Sequence, residues 1–128
     1  MDPVGGLAAG AGLIALGVMI HHVKSQVTSG NVQRNSVMGI RTKATMSSDS
    51  AWEAGHAAAT PLLTATYLTA YITSAITFAL GLALTLGDVE NPAALIIPLC
   101  GIGVVLALLS VATVKANSAA RAAGRADT

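Results

Sequence analysis

The sequence predicts an all-α integral membrane protein, a three-helix bundle with a cytoplasmic signature loop and a short interfacial helix, and three observations carry that reading. First, three windows contain no Asp, Glu, Lys or Arg: Pro3 to Val23, Ala54 to Gly87, and Leu95 to Val114 with its approach from Asn91. Each supplies, or nearly supplies, the roughly 20 apolar residues a helix needs to cross a hydrocarbon core about 30 Å thick. Second, 53% of the 128 residues are hydrophobic and only 10% charged, with a mean hydropathy of +0.66. Ordinary soluble domains carry about 25% charged residues, so this chain is poorly equipped to keep a surface in water. Third, all seven Lys and Arg fall on one side of the three windows, whereas Asp2, Asp88 and Glu90 lie on the other.

That asymmetry sets the expected orientation. By the positive-inside rule the N-terminus and the short turn at Gly87 to Asn91 lie outside, and the loop over 25–59 and the C-terminal tail are cytoplasmic in a bacterial inner membrane. The expected spans are about 4–23, 61–86 and 92–114 in a single membrane domain. No basic residue precedes the first window, and no small-residue cleavage site followed by a mature domain is apparent, so that window is expected to remain as a span.

Within span one, Gly6 and Gly10 stand at GxxxG spacing, with Gly5 and Ala9, and Ala8 and Gly12, beside them. Small residues on one face let another helix come close. Packing against the chain's own spans is the expectation, and a seam between two copies in a homo-oligomer is the alternative. His21, His22 and Lys24 then end the helix, where cationic groups suit its negative terminus and reach water at the interface.

Ser50 and Glu53 read as a capping box, which starts a helix near Ala51 and puts Trp52 and His56 on one face, Trp52 as an interface anchor. Thr60-Pro61 repeats the N-cap and N1 signal, so a short interfacial helix is expected to break or kink there as it leads into span two. Pro61 to Leu86 would be about 39 Å of helix, more than the core thickness, and requires tilt or an emerging end. Thr66, Thr69, Thr73 and Thr77 recur along it as a packing stripe. Span three opens on Asn91-Pro92 and carries Pro98, which predicts a bend. The tail from Lys115 is expected to continue helical for a few turns, with Arg121 and Arg125 toward anionic lipid.

The composition also excludes chemistry. No ionisable residue lies deep in a span, which disfavours a free-standing pump or transporter. Nucleophile elbows, P-loops, HExxH and paired-Cys motifs are absent, and Cys100 is the single cysteine. No catalytic residue, metal site or cofactor is expected, and nothing resembles a nucleic-acid-binding arm or recognition helix.

The remaining polar content is concentrated between Ser25 and His56, where the stretch from Ser25 to Asp49 is a loop too long for a plain connector. Gly39 permits a left-handed or tight turn, Asn35 can cap a turn, and Arg41 offers a planar five-donor fork to carboxylate, phosphate or backbone carbonyls. Arg41 therefore either ties the loop to the following helix or binds a ligand. The order Asn35, Gly39-Ile40-Arg41-Thr42, Thr45, Ser48, Trp52, His56 matches the pattern N-x-x-x-G-I-R-T-x-x-T-x-x-S-x-x-A-W-x-x-x-H and resembles the signature of the SdpI family of small bacterial membrane proteins. The resemblance implies a non-enzymatic protein for immunity or signalling against a membrane-active peptide, with those nine residues at a ligand or partner site and a membrane-protein partner in reach of the loop. A structural or accessory subunit that joins a larger envelope or transport complex and binds lipid headgroups of the bilayer is the competing expectation.

Overall fold

The computed structural model describes residues 3–28 and 39–126. These form α1 (Pro3–Thr28), α2 (Asp49–Leu86), a 3-10 turn (Pro92–Leu95) and α3 (Ile96–Ala126), with no strand among the described residues. All three helices are long and apolar enough to cross a membrane.

α2 is the middle helix. α1 and α3 run antiparallel to it on different faces and scarcely meet each other. The inward side of α1 is Gly6, Gly10, Leu13, Gly17 and Ile20, spaced alternately by four and three residues. At Gly10 an added Cβ would sit 2.8 Å from the Phe78 ring, and at Gly17 2.8 Å from the Tyr71 ring, so aromatic side chains of α2 occupy the space the glycines leave. The GxxxG spacing thus serves packing within the chain. On the other side of α2, Gly101 of α3 lies against Thr73, and Ala112, Ala116 and Ala120 are fully buried at four-residue steps.

Hydroxyls in the apolar layer are satisfied locally. Thr66, Thr69 and Thr77 donate to the carbonyls of Leu62, Ala65 and Thr73 at 2.6, 2.7 and 2.8 Å. A bond between helices comes from a residue outside that stripe: Ser74 Oγ donates to the Gly10 carbonyl at 2.8 Å, made reachable by the missing glycine side chain.

Several boundaries differ from expectation. The separate interfacial helix is absent, because 49–60 are the first turns of α2 and the helix passes through Pro61 without interruption. Pro61 removes the amide that would bond the Ala57 carbonyl, and buried Ala59 and Leu63 continue one packing face across it. The N-cap is Ser48, not Ser50: Ser48 is extended and its Oγ accepts from the Ala51 amide at 3.1 Å, which puts Ser50 already in the first turn. α1 continues beyond His21 and His22 to Thr28. Pro98 lies in the first turn of α3, where its missing amide has no partner within that helix to lose, just after the change from 3-10 to α geometry. Asn91 caps the 3-10 turn as expected, its Oδ1 accepting from the Ala93 amide at 3.1 Å. α3 runs to Ala126 and so includes Arg121 and Arg125.

At about 57 Å and 46 Å, α2 and α3 are both longer than the hydrocarbon core. α2 begins and α3 finishes at the same end, and the described Lys and Arg residues gather there: Lys24, Arg41, Lys43, Lys115, Arg121 and Arg125. Asp88, at φ 51, and Glu90 are at the opposite end.

Removing the hydroxyl that joins α1 to α2, in Ser74→Ala, is expected to destabilise the bundle by about 0.6 to 1.7 kcal/mol. Unfolding in mixed micelles of increasing SDS fraction measures it, and an unchanged midpoint would show that the Gly10 bond contributes nothing.

Candidate functional site

Gly39 to Ser48 fold back against the start of α2 and the end of α3. The described part of the loop starts at Gly39, with φ 105, a conformation L side chains rarely adopt. A Cβ there would also stand 2.8 Å from His56 Nε2 and 2.9 Å from Trp52 Cη2. The residue must be glycine for both reasons, and the chain then passes directly over the two rings.

Those rings form the floor. Trp52 and His56, one turn apart on α2, have centroids 4.1 Å apart. His56 is fully buried and Trp52 is 3% exposed. Trp52 is therefore packed beneath the loop instead of anchoring the bilayer interface, because Gly39 leaves room for the indole inside. Both imidazole nitrogens are engaged: the Ile40 amide donates to Nε2 at 2.8 Å, and Nδ1 donates to the Trp52 carbonyl at 2.9 Å. This pairing requires the neutral Nδ1–H tautomer. It also leaves His56 no nitrogen to offer a substrate or metal.

The threonines close the turn. Thr45, fully buried, donates from Oγ1 to the Ile40 carbonyl at 2.8 Å and accepts from the Thr42 amide at 2.9 Å. The Thr45 amide in return donates to Thr42 Oγ1 at 3.1 Å, and Thr42 Oγ1 donates to Asn117 Oδ1 on α3 at 2.9 Å. At Gly55 a Cβ would stand 2.9 Å from both the Ala116 carbonyl oxygen and Thr45 Cγ2, so loop, α2 and α3 converge at that point.

Of the nine sequence-predicted residues, Gly39, Ile40, Thr42, Thr45, Trp52 and His56 meet in this unit. Ser48 caps the helix that carries Trp52 and His56. Arg41 is at the surface next to the latch, with Lys43 also exposed. Asn35, with Val37 and Met38, lies outside the described residues. Sequence reasoning missed Gly55 and Asn117. Gly55 was findable from Ala51, Gly55 and Ala59 at four-residue spacing facing Ala112, Ala116 and Ala120; nothing near Asn117 marks it. Among the described residues no group of three or more His, Cys, Asp and Glu side chains is placed to hold a metal ion.

A comparison with protein families matches residues 31–115 to the SdpI/YfhL protein family, about two thirds of the chain. The chain belongs to the SdpI/YfhL family. No curated protein and no solved structure matches it. The match takes in the latched loop, all of α2 and most of α3, but not α1, so what this SdpI-family chain shares with its family includes the described part of the site. Together with its three apolar helices, membership makes it a multi-pass membrane protein.

His56 lies on the turns of α2 before the 61–86 segment, and burial holds its pKa below the usual 6.5, opposed in part by the bond to the Trp52 carbonyl. Its folded-state pKa is depressed, so the latch is at full strength above about pH 6.5 and weakens as pH falls below it. Protonated Nε2 cannot accept from Ile40. Trp52 is the only tryptophan, so its fluorescence is expected to change reversibly below that pH with faster exchange of the Ile40 amide, and a flat profile from pH 7.5 to 4.5 would contradict the latch.

Gly39→Ala combines a strained φ with contact on both rings. It is expected to weaken the closed loop by about 2 kcal/mol, or about thirtyfold in opening. Ile40 amide exchange reads this directly, and wild-type protection in the variant would show that the glycine is dispensable.

Proposed function

We propose that this SdpI-family protein is a non-enzymatic immunity or signalling protein of the bacterial inner membrane. Its N-terminus is outside, and the latched loop and C-terminal helix end are cytoplasmic. The apolar helices intercept a membrane-active peptide, and the basic end engages a membrane-protein partner. The observation that supports this reading is the arrangement of the signature: its imidazole, hydroxyls and glycine hold the loop closed, and the exposed Arg41 and Lys43 make its surface cationic. A site arranged this way presents a fixed cationic surface and no reactive group.

Arg41→Ala tests it. The substitution changes none of the His56, Thr42 and Thr45 side chains that hold the loop, and Trp52 fluorescence is expected to match wild type; a shifted spectrum would make Arg41 a tie of the loop instead of a contact for a partner. In a deletion strain, wild-type protein is expected to restore resistance to envelope-active peptides and Arg41→Ala to restore little. Affinity capture from native membranes should return a protein present with wild type and depleted with the variant. Unchanged peptide sensitivity on deletion would overturn the immunity reading, and capture of stoichiometric envelope or transport subunits by both proteins would favour an accessory subunit.

A further inference from the structure

A second cluster of polar side chains lies where α1 and α2 leave the apolar layer, separate from the signature loop. The His21 ring is stacked on Tyr67, with centroids 4.2 Å apart and planes at 16°, and meets the edge of Tyr71 at 6.1 Å. Its Nδ1 is 3.3 Å from the Tyr71 hydroxyl. Two tyrosines one turn apart on α2 thus hold an otherwise exposed histidine in one orientation. Lys24, half-buried, follows His21 by one helical turn and shares its side of α1.

Two features point to an anion. The first is charge. Between Asp2 and Asp49 the chain has no acidic residue, and between Glu53 and Asp88 it has none. Neither α1 nor the stretch of α2 beside it supplies a carboxylate to Lys24, and Glu53 is 14 residues before Tyr67, about 21 Å along the helix. A half-buried ammonium that reaches water at the edge of an apolar layer attracts anions held at the same level. The second is depth. His21 is about 27 Å along the helix axis from Pro3, so with the start of α1 at one boundary of a core about 30 Å thick, His21 and Lys24 reach the other. Tyrosines are enriched at that level.

We propose that His21, Lys24, Tyr67 and Tyr71 form a binding site for the phosphate of an anionic phospholipid headgroup. In the tautomer in which the Tyr71 hydroxyl donates to Nδ1, the His21 proton is on Nε2, facing away from Tyr71, and Nε2–H is a donor. It and the Lys24 ammonium bind phosphate oxygens through charge-assisted hydrogen bonds, and the acyl chains run along the apolar surface of α1 and α2.

The test uses purified full-length protein in a mild detergent, exposed to equal amounts of phosphatidylglycerol and phosphatidylcholine and read by native mass spectrometry. Wild type is expected to retain the anionic lipid about tenfold over the zwitterionic one, and His21→Ala to lose most of that preference. Tyr71→Phe keeps the ring and removes only the hydroxyl. It is expected to lower the preference several-fold at an unchanged thermal midpoint. His22→Ala, an exposed neighbour on another face, is expected to behave as wild type. Equal losses in His21→Ala and His22→Ala would reduce the effect to general surface charge and overturn the site, as would equal retention of the two lipids. Titration of lipid-depleted protein with inorganic phosphate, followed by the His21 ring resonances, separates the two sources of the anion. Saturation at micromolar phosphate would assign the site to the free ion and overturn the lipid, and no saturation below millimolar phosphate supports the headgroup.

Discussion

A buried imidazole with both nitrogens committed holds the polar part of this protein together. A backbone amide pointing inward from a tight loop needs an acceptor, and leaving it unsatisfied costs about 1 to 3 kcal/mol. Ile40 finds that acceptor in His56 Nε2, and the Trp52 carbonyl fixes the tautomer that makes Nε2 an acceptor. Gly39 follows from this bond, because any side chain at that position would occupy the place of the ring edges. Thr45 follows as well, since it takes up the Ile40 carbonyl on the other face of the same peptide segment. A leucine at position 56 would fill the volume and leave the Ile40 amide without a partner. The motif's spacing therefore records one hydrogen-bonded unit rather than a row of separate functions.

The latch works only because the helices beneath it come close. Gly55 brings the α2 backbone against the Ala116 carbonyl, and the buried alanines at 112, 116 and 120 continue that approach. Thr42 then reaches Asn117 across the seam. The same device serves α1, where Gly10 and Gly17 admit Phe78 and Tyr71 and expose the Gly10 carbonyl to Ser74. With small residues on both sides of α2, van der Waals contact substitutes for the hydrophobic drive that is missing between helices in lipid.

The three spans and the clustering of positive charge at one end were legible, because charge-free windows and basic flanks respond directly to the bilayer. The signature was legible as a pattern, and its glycine as a turn residue. Its physical role was not, since Ile40 meets His56 across 16 residues and Thr42 meets Asn117 across 75, and such contacts depend on a helix register that no local rule supplies. The start of α2 was misplaced by two residues because Ser50-x-x-Glu53 satisfies the capping-box pattern, whereas the loop geometry delivers Ser48 in the extended conformation a cap requires. Pro61 was read as a break or kink because an isolated helix loses both an amide and a clear backbone path there. Here the helix is continuous through it, with buried Ala59 and Leu63 on one packing face across the proline.

What the basic end presents follows from what it has already spent. The imidazole of His56 and the hydroxyls of Thr42 and Thr45 face inward and are satisfied, and Trp52 is covered. The exposed side chains there include Arg41, Lys43, Lys115, Arg121 and Arg125, together with the two acids of the first α2 turns, Asp49 and Glu53. Among the described residues, this end therefore presents mainly positive charge around a closed loop. Attraction of that kind falls off beyond a Debye length, about 8 Å at physiological ionic strength. It favours partners already confined to the membrane surface, where short range is no handicap.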